Sequence, residues 1–250
     1  MKKLLISLAI VFGALIFSSN AKSPIEVVKA KGDIVIDGLV NEKSWQIALW
    51  QPIDELILGT PPTTEDFSGR FKVLWDNQQL YLLVEITDDV LFDQHANPYF
   101  AYWDDDCLEV FIDEDASGGE HQFNHNAFAY HVALDNQVAD IGGQNEEGSA
   151  QVVLLNDHIT SVWRRDTQKP HNINWELSIR LFDDSFQGDS SRPVTLMKQK
   201  KIGFMLAYCD NDGSPQRESF IGSTFIKPIE GDKNLGYITA DVFDHIILID

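Results

Sequence analysis

The residues from Tyr102 to Asp115 read YWDDDCLEVFIDED, a run that crowds carboxylates, a thiol and large aromatic rings together. Such a set can serve three kinds of chemistry. It can be a solvated acidic edge, an oxygen cage for a divalent cation, or a platform for a hydroxyl-rich ligand, with carboxylates as acceptors and a ring as stacking surface. Alternation begins to separate them. Read as a strand, Cys107 to Asp113 puts Leu108, Val110 and Ile112 on one face, which is core, and Cys107, Glu109, Phe111 and Asp113 on the other. Glu109 is then a charge flanked by apolar side chains, and it needs a partner because unpaired burial is costly. Asp104, Asp105, Asp106, Glu114 and Asp115 fall outside the strand and read as solvated surface.

A second constellation is EHQFNHNAFAYHVALD, taken as one strand over 121–134. It aligns His121, His125 and His131 on one face. At about 3.3 Å per residue the first two stand roughly 13 Å apart, too far for one zinc ion at ~2 Å from each nitrogen. The opposite face carries Gln122, Asn124, Asn126 and Tyr130, an amide-rich row suited to sugar hydroxyls. His125 borders it as a further candidate. In CDNDGSPQRE, Asp210 and Asp212 before Gly213 resemble part of a calcium loop, although the distal bidentate Glu is missing at hand spacing. Hydrolysis of a glycoside needs two placed carboxylates. The 39 acids of this chain offer many pairs, and no motif singles one out. G-x-S-x-G, H-E-x-x-H and a phosphate loop are absent.

The elements that must position these residues are mostly strands. RFKVLWDNQQLYLLVEITDD is a hairpin signal, with a turn over 76–79 between two alternating apolar runs. Further strands are expected at 107–113, 121–134, 137–141, 150–155, 160–164, 174–180, 202–209 and 236–249. NEKSWQIALW reads as one short N-terminal helix, capped by Asn41, with Trp45, Ala48 and Leu49 on its apolar face. Many short strands between polar turns imply an all-β fold, a single antiparallel β-sandwich of jelly-roll type over residues 22–250.

Residues 1–21 read as a secretory signal peptide: Lys2 and Lys3, an apolar run of about 14 residues, then small residues up to Ala21. That run is short for a membrane span. No cysteine stands where a lipid anchor would attach, so the expected product is exported, periplasmic or secreted, with no membrane anchor. Removing the leader leaves 17 basic residues against 39 acidic ones. A surface this acidic repels nucleic acid and suits neutral ligands and divalent cations. Cys107 and Cys209 both fall in expected strands. Export permits a bridge between them, and the sequence alone leaves it open.

Three blocks occur in order: IDGLVNEKSWQIA, FKVLWDNQQLYLLVEITDD and YWDDDCLEVFIDED. WELSIR and IGFMLAYCDNDG follow. Together they resemble the family 9 carbohydrate-binding modules, a branch of the DOMON-like β-sandwiches, over about Asp33 to Leu248. The resemblance implies non-catalytic sugar binding, often at the reducing end of a glycan, by aromatic stacking and polar side chains. It matches Trp103 to the first stacking tryptophan, Glu109 to the binding glutamate, Gln122 to the glutamine of the next strand, and Arg217 to the binding arginine. Phe220 is the nearest match to the second aromatic, normally tryptophan. It also implies structural calcium, no other required cofactor, a saccharide ligand, and association with carbohydrate-degrading enzymes. Two alternatives stay open: a haem-binding DOMON-type electron-transfer domain, for which Met197, Met205 and the histidines are candidate ligands, and a carbohydrate-active hydrolase.

Overall fold

Alternating apolar residues on fourteen strands make two sheets, as a computed structural model that describes residues 23–168, 170 and 172–250 shows. The expected leader lies outside the described residues. In chain order the strands are β1 (Ile25–Val28), β2 (Gln51–Ile53), β3 (Glu55–Gly59), β4 (Phe67–Trp75), β5 (Leu80–Asp88), β6 (Cys107–Asp113) and β7 (Phe128–Ala133). They continue with β8 (Val138–Gln144), β9 (Ala150–Leu154), β10 (Ile159–Arg165), β11 (Asn172–Ile179), β12 (Lys201–Asp210), β13 (Ser219–Gly222) and β14 (Asp244–Ile249). One sheet runs β1-β14-β12-β6-β7-β8-β9, with β13 also paired to β12 and β3 paired to β13. The other runs β10-β11-β5-β4-β2. The pairing is antiparallel throughout apart from β1 beside β14. No described helix is long and apolar enough to cross a membrane.

The two sheets meet through their alternating apolar faces. Leu108, Val110 and Ile112 of β6 pack with Phe128, Tyr130 and Val132 of β7 against Val84, Ile86, Trp175 and Leu177 of the opposite sheet. The expected hairpin forms, its turn held by Asp76, whose carboxylate accepts from the Gln78 and Gln79 amides.

Each sheet also has a covered outer face. Trp45 and Ala48 lie over Leu74, Tyr81 and Leu83 of the smaller sheet. Glu176 of β11 anchors this cover by accepting from the Asp37 and Gly38 amides and from Trp45 Nε1. The expected helix is reduced to a single 3-10 turn, Lys43–Gln46, preceded by Glu42 rather than capped by Asn41, and Leu49 is 78% exposed. On the larger sheet, Phe111, Ala129, Met205 and Phe220 are roofed by Ile226, Leu235 and Phe243. That roof comes from the long connection between β13 and β14, so the strand expected over 236–249 starts only at Asp244. Where the roof stops, β6 presents Glu109.

Candidate functional site

Sheet register assembles the site. Cys107 and Glu109 point to the outer face of β6. Glu109 pairs across with His131 of β7 and with Ala207 of β12, and Cys107 pairs with Cys209. The small Ala207 leaves room beside the carboxylate. Arg217, in the loop after β12, folds back so that Nη1 donates to Glu109 Oε1 and to the Cys209 sulfur, both at 3.0 Å. His131 Nε2 lies 2.8 Å from the same Oε1, though off the direction of a well-formed hydrogen bond. Glu109 is 3% exposed. Burial alone would push its carboxyl upward. His131 and Arg217 outweigh that and bring it down to about 2, so it is an ionised acceptor.

The wall is the loop before β6. Ala101 enters it in a left-handed conformation, and Tyr102–Asp104 form one 3-10 turn. Tyr102 turns inward, its ring perpendicular to His131 at 4.6 Å and to Trp103 at 5.0 Å. Trp103 stays 41% exposed. The acids that follow are not the solvated run expected of them; Asp104, Asp105 and Asp106 are all buried. Asp104 accepts from the Arg217 amide, Asp105 from the Gln94 and His95 amides, and Asp106 from the Phe92 and Asn211 amides. They satisfy loop donors that have no strand partner, and so fix Trp103 beside Glu109.

These parts enclose a cavity of about 440 Å³. Trp103, Glu109, Gln122 and Arg217 line it, together with Tyr99, Phe100, Tyr102, His131, Asn234 and Tyr237. The structure thus brings four of the expected residues together.

Phe220 is elsewhere. It is 1% exposed, beneath the Arg217 guanidinium, and cannot present a face to a ligand. Tyr130 is a core residue whose hydroxyl meets His158. β7 starts at Phe128, so the row of amides expected along one strand face does not form. Asn124 and Asn126 instead bond within their own loop, to the Glu120 and Gly118 carbonyls. His125 stacks on Phe128 and meets Phe186 edge-on, away from the cavity. The sequence reading missed His131, Asn234 and Tyr237 as lining residues. His131 had a signal: it has the parity of the Glu109 face on the neighbouring strand.

Cys107 and Cys209 are free thiols. Asp210 gathers two sets of carboxylates, one with Asp66 and Asp212 and one with Asp88 and Asp106. Burial first, then mutual repulsion, raises these acids: Asp88 to about 6, Asp210 to about 7 and Asp106 to about 9.

The model of the carbohydrate family 9 binding domain-like family fits residues 36–250, a span that contains this carboxylate, arginine, amide and exposed tryptophan. The chain belongs to that family. Among curated relatives, exoglucanase XynX of Acetivibrio thermocellus is 27% identical over 145 residues, which is 58% of this chain and 12% of the relative. Endo-1,4-beta-xylanase A of Thermotoga maritima is 33% identical over 94 residues, 36% of this chain and 8% of the relative. The chain therefore spans about a tenth of the length of these relatives. A family 9 module from Caldicellulosiruptor kristjanssonii in complex with cellotriose shares the fold, with a TM-score of 0.64 at 19% identity over 90% of this chain and 93% of that one. Its glucose complex gives 0.62 at 18% identity, covering 90% and 95%.

Proposed function

We propose that this family 9 domain binds the end of a glucose- or xylose-based glycan in the cavity at Trp103 and Glu109. The observation that carries the reading is the convergence of an exposed ring with a buried, ionised, fixed carboxylate. A pyranose offers an apolar C–H face for the tryptophan and a hydroxyl rim for Glu109, Arg217, Gln122 and Asn234. Tyr237 or the exposed pair Tyr99 and Phe100 would replace Phe220 as the opposing aromatic surface. The volume falls in the range of small-ligand pockets. Glu109 is the one carboxylate among the described residues lining the cavity, and it is held ionised. A two-carboxylate hydrolase needs a protonated acid as well, which favours binding over cleavage here.

The proposal includes export through the 1–21 leader, to the periplasm or outside the cell, and a role beside enzymes that degrade such polysaccharides. It also includes calcium. The residues fit that ion: Asp88 Oδ1 is buried with no hydrogen-bond partner, and the surrounding acids are strained by one another's charge. Asp88, Asp106 and Asp210 would hold it, with Asp66 and Asp212 at the edge. The ion would neutralise Asp106, one of the acids that order the loop carrying Trp103.

Calorimetric titration with glucose, cellotriose, xylose and xylotriose, each with free and with blocked reducing ends, tests the reading. Saturable binding weakened by blocking the reducing end is expected. Absence of binding to every one of these sugars would overturn it.

A further inference from the structure

Beneath the proposed sugar contact, four metal-ligating side chains meet. Cys107 and Glu109 come from β6, Cys209 from β12 and His131 from β7, and their donor atoms all lie within 4.8 Å of one another. Direct register produces the cluster, because Cys209 faces Cys107 and His131 faces Glu109 on one side of three neighbouring strands. All four are buried, and both thiols are free.

Four observations point to an ion. Two sulfurs, an imidazole nitrogen and a carboxylate oxygen are each zinc ligands and together make four, the number of a tetrahedral site, in which donors stand about 3.3–3.8 Å apart. Cys209 Sγ is already 3.1 Å from Glu109 Oε1, which is 2.8 Å from His131 Nε2. Neither ring nitrogen of His131 has a well-formed hydrogen bond, although the ring is buried and clamped by Tyr102. Charge also balances. A divalent cation with two thiolates and one carboxylate leaves one negative charge, and Arg217, 3.0 Å from both Cys209 Sγ and Glu109 Oε1, supplies the positive one.

We propose that Cys107, Cys209, His131 and Glu109 bind one thiophilic divalent cation of the zinc class in a closed four-coordinate site under the pocket floor. Arg217 is its charge-balancing neighbour. Binding displaces two thiol protons to solvent and moves no electrons. Glu109 needs to give the ion only one oxygen, which leaves the other for a ligand hydroxyl. The site is distinct from the carboxylate cluster at Asp210, whose all-oxygen donors suit a hard cation instead. Its place relative to the sugar rests on the proposed function; the metal chemistry does not.

The chain has two cysteines in all, so a thiolate-to-metal band can arise only from this pair. The purified protein, reduced and stripped of metal, is titrated with Co²⁺ in the absence of sugar. Expected are a near-ultraviolet thiolate-to-cobalt band and the visible bands of a tetrahedral ion, saturating at one equivalent and bleached by Zn²⁺. Cys209→Ser should diminish the charge-transfer band, and His131→Ala should weaken cobalt binding by about tenfold or more. Absence of the band from wild-type protein with both thiols titratable after denaturation would overturn the proposal, whatever the variants do. So would peptide mapping that finds Cys107 bridged to Cys209 in protein from its native compartment. Sugar titration of the same protein, stripped and then resupplied with calcium alone, separates the two readings. Sugar binding without a cobalt band removes the metal site alone, and a cobalt band without sugar binding removes the sugar reading alone.

Discussion

The guanidinium of Arg217 donates to Glu109 Oε1 at 3.0 Å while its carbon sits 4.3 Å over the centre of the buried Phe220 ring. The phenyl ring is therefore a support for the arginine, and the arginine, together with His131, keeps a carboxylate ionised inside the protein. Removing the arginine leaves that charge with His131 as its remaining partner. Arg217→Met should cost about 3–5 kcal/mol of folding stability, the penalty for breaking a buried pair from one side. The double change Arg217→Met with Glu109→Gln should recover part of the loss. Urea unfolding of wild type, Arg217→Met, Glu109→Gln and the double variant checks this, and an additive double variant would show that the two groups are not coupled.

Trp103 and Phe220 were both matched to stacking residues, and the structure predicts opposite behaviour for them. Trp103→Ala should weaken sugar binding by about 1–3 kcal/mol, since it deletes an exposed apolar face, with little change in unfolding midpoint. Phe220→Ala should lower stability by about 3–5 kcal/mol as a core cavity. Asp105→Asn should act mainly on stability, through the Gln94 and His95 amides, and weaken affinity less than Trp103→Ala because it loosens the loop without deleting the ring. Calorimetry and thermal melts on all three variants would expose the error if Trp103→Ala bound normally.

Why some of this was legible follows from particular residues. Alternation in CLEVFID placed Leu108, Val110 and Ile112 between the sheets and turned Glu109 outward, because a strand paired on both sides has no freedom to do otherwise. The same logic misled at Tyr130. Phe128 and Val132 share its parity, and three large apolar side chains in a row mark a core face. The apparent amide row of Gln122, Asn124 and Asn126 belongs to the preceding loop. Asn234 and Tyr237 reach the cavity from the roof between β13 and β14, whose path is set by packing on Phe111 and Met205 and not by local periodicity. Asp104 to Asp106 looked solvated because nothing in their neighbourhood reveals that backbone amides about ten residues upstream need acceptors.

Loss of calcium, with the site at Cys107 and Cys209 kept loaded with zinc, should affect the wall more than the floor. If calcium neutralises Asp88, Asp106 and Asp210, excess chelator should lower the melting temperature and weaken sugar binding, and added calcium should restore both. The stabilisation follows mass action, so the midpoint should climb with calcium concentration well above the dissociation constant, by about 2.7 kcal/mol at a hundredfold excess. Asp88→Asn should flatten that dependence. A melting temperature indifferent to chelator, in protein shown by elemental analysis to start with calcium, would refute the assignment.

His158 gives the protein an acid limit that the sugar site does not share. Its ring stacks on Phe182 at 4.0 Å and meets Phe186 and Phe128 edge-on; Nδ1 is 2.8 Å from the Tyr130 hydroxyl, and Nε2 has no partner. Burial pushes it down to about 4. Arg180 and His125 add to that, and Asp157 opposes it. The unfolded value is near 6.5, so between those two values the unfolded chain binds a proton that the folded chain refuses. The stability from this neutral histidine is therefore fully present above about pH 6.5 and is lost as pH falls through about 4. His121, brought down to about 4 by burial with Nε2 donating to the Gly236 carbonyl, has the same sign. His158→Gln should be less stable than wild type near neutrality, because the aromatic box loses its stacked ring. That deficit should shrink steadily as pH is lowered across the window, since the glutamine cannot titrate. Urea unfolding of both proteins at several pH values, with calcium fixed at saturation so that the carboxylate cluster contributes equally, measures the difference directly. A deficit that stays constant from neutrality to about pH 4 would mean that His158 accepts its proton in the folded state and sets no acid limit.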